Sequence, residues 1–264
     1  MNLGKVKTFL IFLFLGINIY LLISMFMSTR FFIDKNTVRA TVSVLEKNGI
    51  TLDEKKIAPF FVNLKNIDTN NIAYTGKFKN ATKNEDIELK DDYFTLTRTV
   101  KDVHLLSDNQ LINTAKDIMT SLGADSKCMT AGKVRADDNN VRRVTIRCKV
   151  GKYEVFDSKV TVVAQKDSLT IGGRWYQPLS MKYKTKSRSR NTVYITSVLV
   201  SMLQNKEIMK NAPFEIKDIR YGYLAGTSYG EGVHITTSAL PYYKITDSQN
   251  NVYYYDARNG TYLK

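Results

Sequence analysis

Cysteine and histidine are scarce in this chain, with two of each in 264 residues. Two cysteines exclude a disulfide-dense scaffold and a four-cysteine zinc site. The two histidines, His104 and His234, have no HExxH or comparable ligand spacing. They leave little room for histidine-based catalysis. No G-x-S-x-G elbow, S-x-x-K pair or phosphate loop occurs. Gly172-Gly173-Arg174-Trp175 lacks the spacing of a nucleotide fingerprint and reads as a turn. A calcium loop starting at Asp137 needs Gly at 142 and Glu at 148, where Arg142 and Cys148 stand. Asp91 and Asp92 are adjacent, so on a strand they point to opposite faces and cannot flank one sugar bond. No catalytic, cofactor-binding or metal-ligating residue is assigned, and an enzyme is not expected.

What is present is apolar content and positive charge. The chain is 43% hydrophobic and 24% charged, which excludes global disorder and supplies a core. Lys plus Arg is 39 against 25 Asp plus Glu, a net charge of +14. From Thr8 to Thr29 there is no charge at all. A signal peptide has a shorter apolar run ending in small residues before the cut. Here the run ends Met25-Phe26-Met27 with no Ala-x-Ala following. An uncleaved transmembrane anchor over 8–29 is the expectation, with 1–7 a cytoplasmic tip and 30–264 extracytoplasmic. That placement argues against nucleic acid as a partner. A basic exported domain faces anionic lipid headgroups or acidic wall polymers, unless the charge is simply a solvated surface.

Phe12, Gly16, Tyr20 and Ser24 recur every four residues and share one helix face. Gly16, Tyr20 and Ser24, with Asn18 beside them, suit contact with a partner's membrane helix. Tolerated polar residues in a single anchor are the plainer reading.

Residues 36–48 read as a short helix. Ser107 and Gln110 have capping-box spacing ahead of the stripe Leu111, Ala115, Ile118, Met119 and Leu122. Val144, Ile146, Cys148 and Val150 alternate with Arg143, Thr145, Arg147 and Lys149, predicting a strand with one wet face. Another helix over Ile195–Leu203 is followed by strand-like runs. The predicted fold is α+β: one N-terminal transmembrane helix, then extracytoplasmic modules of helix packed on antiparallel meander sheet. The predicted boundaries are 30–105 for the N-terminal part of the outer domain, 106–180 for a first module, 181–192 for a basic connector and 193–264 for a second module. In the connector, Lys182, Lys184, Lys186, Arg188 and Arg190 alternate with uncharged residues. An extended segment puts them on one side as an anion strip; a solvated connector is the plainer reading. A hairpin centred on Asp138 sets Cys128 directly opposite Cys148, leaving a disulfide or two buried thiols as readings.

The run Met1-Asn2-Leu3-Gly4-Lys5-Val6-Lys7-Thr8, with Ile11, Phe14, Leu15, Asn18 and Leu21, resembles the start of the YycH/YycI family of Gram-positive bacteria. Leu240-Pro241-Tyr242-Tyr243-Lys244-Ile245, Tyr253-Tyr254-Tyr255-Asp256-Ala257 and Asn259-Gly260 agree, and that ending is similar to a PepSY-like module. The resemblance implies a non-enzymatic accessory regulator of the WalK/YycG sensor histidine kinase, which controls cell-wall metabolism. It implies the membrane as location, the kinase and a YycH-type accessory protein as partners, contact through the N-terminal helix, and no cofactor.

Overall fold

The computed structural model of the chain describes residues 3–28, 33–58, 64, 66–82, 86–137, 139–179, 192–225 and 236–263. Its helices are α1 (Leu3–Ser28), α2 (Lys35–Lys47), α3 (Gly76–Ala81), α4 (Asp108–Ser121), α5 (Ile195–Met202) and α6 (Lys206–Met209). Local chemistry accounts for where they start. Ser107 Oγ accepts the Gln110 amide at 3.3 Å and Gln110 Oε1 accepts the Ser107 amide at 2.8 Å, closing the capping box of α4. Asp34 caps α2 by accepting the Asn36 amide. The buried face of α4 is Leu111, Ala115, Ile118 and Met119; that of α2 is Thr41, Val42 and Leu45.

The strands are β1 (Ile50–Thr51), β2 (Ile67–Asn71), β3 (Asp86–Lys90), β4 (Tyr93–Thr99), β5 (Met129–Ala131), β6 (Arg135–Ala136), β7 (Arg142–Val150), β8 (Tyr153–Gln165), β9 (Ser168–Arg174), β10 (Tyr176–Pro178), β11 (Phe214–Leu224), β12 (Thr236–Asp247), β13 (Val252–Asp256) and β14 (Tyr262–Leu263). They form one sheet whose main path runs β10-β2-β12-β11-β8-β9-β4-β3. β7 branches from β8 and carries β5 and β6; β13 branches from β12 and carries β14. The sheet is mixed. β1 pairs parallel with β11, and β11 pairs parallel with β8 at Tyr223 and Val155.

Two large cores and a small third cluster of Phe156, Leu224 and Tyr242 lie on this sheet. The first gathers Phe94, Leu96, Leu111, Met119, Ile171 and Trp175 around α4. Phe78 meets Phe94 edge to face at 5.3 Å within it. The second gathers Leu45, Ile50, Val198, Leu199, Met202 and Ile245 between α2, α5 and the later strands. Each fully buried Leu or Ile contributes about 1.5–3 kcal/mol by leaving water. Gly222 lets the halves meet: a Cβ there would sit 2.4 Å from the Glu154 carbonyl oxygen and 2.7 Å from the Phe156 ring.

The predicted fold class is therefore corrected. The described chain is largely one fourteen-stranded mixed sheet with few helices, not a series of helix-on-antiparallel-meander modules. The parallel β8–β11 pairing and the insertion of β2 between β10 and β12 join segments far apart in sequence. Local periodicity carries no signal for either. The expected transmembrane helix is corrected too: among the described residues, no helix is long and apolar enough to cross a membrane. The described side chains of α1 run from Leu10 to Leu22. Gly172–Trp175 is not a turn either. Gly172 and Gly173 lie in β9, and Trp175 is completely buried.

Candidate functional site

Four features bear on function, and they lie in different parts of the fold. The first is α1. Every described side chain from Leu10 to Leu22 is exposed, including Phe14 at 72% and Tyr20 at 71%. A Cβ added at Gly16 meets nothing within 4 Å. Asn18 does not wait for a partner, because its Nδ2 donates to the Phe14 carbonyl at 2.9 Å, one turn back. Gly16 and Tyr20 thus remain open along one face, while the Ser24 side chain lies outside the described residues.

The second is the cysteine pair. Both are buried free thiols. The register places Met129, not Cys128, opposite Cys148, so the expected directly opposed pair is corrected. The pairs Arg135↔Arg143 and Ala136↔Arg142 centre the hairpin on residue 139 rather than 138, and residues 132–134 step out of the ladder before β5 resumes one residue out of that register. Cys128 ends a 3-10 turn just before β5, and its Sγ donates to the Asp125 carbonyl at 3.1 Å. The two sulfurs still meet. Hydrogen bonding with Cys128, then burial, pushes the Cys148 thiol well above its usual range.

The third is a basic groove of about 490 Å³ on the wet face of β7. The alternation that buries Val144, Ile146 and Cys148 turns Arg143, Thr145 and Arg147 outward. Thr161 on β8 and Lys133 and Arg135 on the approach to β7 complete the walls. Register sets Arg135 opposite Arg143 and Arg147 opposite Lys159; Lys159 in turn faces Arg174 on β9. Like charges directly opposite on adjacent strands destabilise a sheet by roughly 0.2–1 kcal/mol per pair. Two carboxylates offset part of this. Asp137 accepts from Arg143 at 2.6 Å, and that guanidinium, with the Val141 amide, holds its carboxyl below the usual range. Glu154 is shared between Arg147 at 3.3 Å and Arg220 at 3.4 Å. Lys133, Arg135 and Lys159 have no ion pair among the described residues.

The fourth is a cluster of Asp102, His104 and Asp167, whose ligand atoms lie within 4.8 Å of one another. All three are exposed. Turn chemistry explains their meeting: Asp167 Oδ1 accepts the Asp102 amide at 2.7 Å, and His104 Nδ1 lies 3.2 Å from the Lys166 carbonyl. The guanidinium of Arg142 donates to the His104 and Leu106 carbonyls and opposes a cation nearby.

The expected strip of Lys182, Lys184, Lys186, Arg188 and Arg190 lies outside the described residues, as does His234. Sequence reasoning saw the wet face of β7 but not the groove. Its signal was there in the alternating Arg143, Arg147 and Lys149; what was missing was the register that brings Lys133, Arg135 and Lys159 to them. Comparison with protein-family models and with curated proteins finds no match to this chain.

Proposed function

We propose that this protein is a non-catalytic regulator at the cell membrane that binds a sensor histidine kinase of the WalK/YycG type. A YycH-type accessory protein is its second partner. The observation that carries the reading is α1, a helix apolar on all sides whose described side chains bury nothing against the rest of the chain. Such a helix is covered by lipid or by another apolar helix. The resemblance of Met1–Leu21 and of the tyrosine-rich C-terminal strands to the YycH/YycI family supplies the partner.

Regulation follows from differential binding. A protein that holds one kinase conformation about tenfold more tightly than the other shifts their equilibrium by about 1.4 kcal/mol. Within α1, Gly16 and Tyr20 are the contact positions, with Asn18 already satisfied in its own turn. Cross-linking of the full-length protein in native membranes, followed by mass spectrometry, tests the reading. A kinase is expected among the adducts and is lost when residues 8–29 become a generic Leu/Ala helix. Adducts without a kinase would sink the proposal. The Gly16→Ile change should weaken association while leaving the free chain intact, because nothing in the chain occupies the space a Cβ would enter. Unchanged association in a membrane two-hybrid assay would remove Gly16 from the contact.

A further inference from the structure

The groove on β7 carries an inference independent of the kinase. Its lining cations Lys133, Arg135, Arg143 and Arg147 face a single lining carboxylate, Asp137. Arg135 lies directly opposite Arg143, and Arg147 directly opposite Lys159. Asp137 and Glu154 offset only part of the cost of these like-charged pairs, and a local rule broken with incomplete compensation points to function. An anion between the strands turns each repulsion into two attractions.

We propose that this groove binds an anionic phosphodiester polymer, with successive phosphates lying along Arg135–Arg143 and then Arg147–Lys159. Guanidinium groups hold phosphate oxygens bidentately, and the Thr145 and Thr161 hydroxyls supply neutral donors between them. About 490 Å³ is room for a few monomer units rather than a whole chain. The register carries the track out of the groove, through Lys159 to Arg174, which favours a polymer over a compact phosphate ester. The lining contains no aromatic side chain, so bases have nothing to stack on, and single-stranded nucleic acid is disfavoured. It has no apolar side chain larger than Ala136 to enter an acyl layer, which disfavours a lipid surface.

The test titrates the full-length chain in neutral detergent with fluorescently labelled poly(glycerol phosphate) at several salt concentrations. Binding is expected at low salt and should fall steeply as salt rises. The K133A/R135A double variant should bind about tenfold or more weakly with a shallower salt dependence, since the Arg135 phosphate contact and the Lys133 charge in the groove wall are gone. Its melting temperature should match or exceed the parent's, because Arg143 loses its opposed like charge. If it melts lower, Lys133→Ala alone is the readout, with a several-fold loss expected. The charge-matched K206A/K210A variant should bind as the parent does. No binding by the parent, an equal loss in the control pair, or tighter binding to phosphatidylglycerol vesicles or single-stranded DNA at equal phosphate would each overturn the proposal.

Discussion

Cys148 occupies the buried face of β7 with its thiol against that of Cys128. A thiol held protonated and away from solvent is a poor nucleophile. Neither cysteine should react with iodoacetamide in the native chain at neutral pH, and both should react after denaturation without reductant. Rapid native labelling would contradict the burial; silence after denaturation would reveal a disulfide. Asp247 shows the opposite kind of tuning. Burial works to raise its carboxyl, but hydrogen bonds from the Asn251 side chain, the Tyr253 hydroxyl and the Asn251 and Gln249 amides outweigh it and leave its pKa lowered. A carboxylate with a depressed folded pKa stabilises the fold above its unfolded value of about 3.9, and that contribution is lost as pH falls through the folded value. The Asp247→Asn variant should therefore lose stability at neutral pH and show a shallower decline below about pH 4. Parallel acid limbs in urea melts of parent and variant would refute this.

At the scale of elements, α4 is specified locally and the strand ladders are not. Ser107 and Gln110 satisfy each other's orphan groups at the start of α4, so Ser107→Ala should cost about 1 kcal/mol, read as a lower urea midpoint with unchanged slope. The β5–β6–β7 ribbon behaves differently. Its turn residues are evident in sequence, with Asp137 accepting the Asn139 and Val141 amides. Its register nevertheless departs from a simple hairpin because residues 132–134 step out of the ladder. The step sets Met129 opposite Cys148, while the turn, centred on residue 139, brings Arg135 opposite Arg143 and makes the groove.

For the whole molecule, the decisive feature is how two cores share one sheet. One backbone link between them is the pairing of β2 with β12; another is the parallel approach of β11 to β8, at Tyr223 and Val155. Gly222 permits it, since a side chain there would collide with the Glu154 carbonyl and the Phe156 ring. A Gly222→Val substitution should cost about 1–3 kcal/mol or more by overpacking. It should also make the urea transition less cooperative, as the core around α4 and the core around α2 and α5 lose one of their connections. A transition as steep as the parent's and at its midpoint would show that β8 and β11 do not depend on this contact.

Sequence alone was enough to place α2, α4 and α5, the wet and buried faces of β7, and the turn before it. These rest on contacts three to four residues apart or on strict alternation, and local spacing records both. It also marked α1 as apolar and Gly16 as an opening on it. Sequence did not reveal that Gly172 and Gly173 continue a strand, that β2 inserts beside β12, or that β8 and β11 run parallel. Each depends on partners brought from distant segments, and one strand carries no mark of which neighbour it will take. The groove divides in the same way. Alternation put Arg143 and Arg147 on the outer face, but only tertiary register set Arg135 and Lys159 against them, because cross-strand neighbours are chosen by the packing of the whole sheet over its two cores.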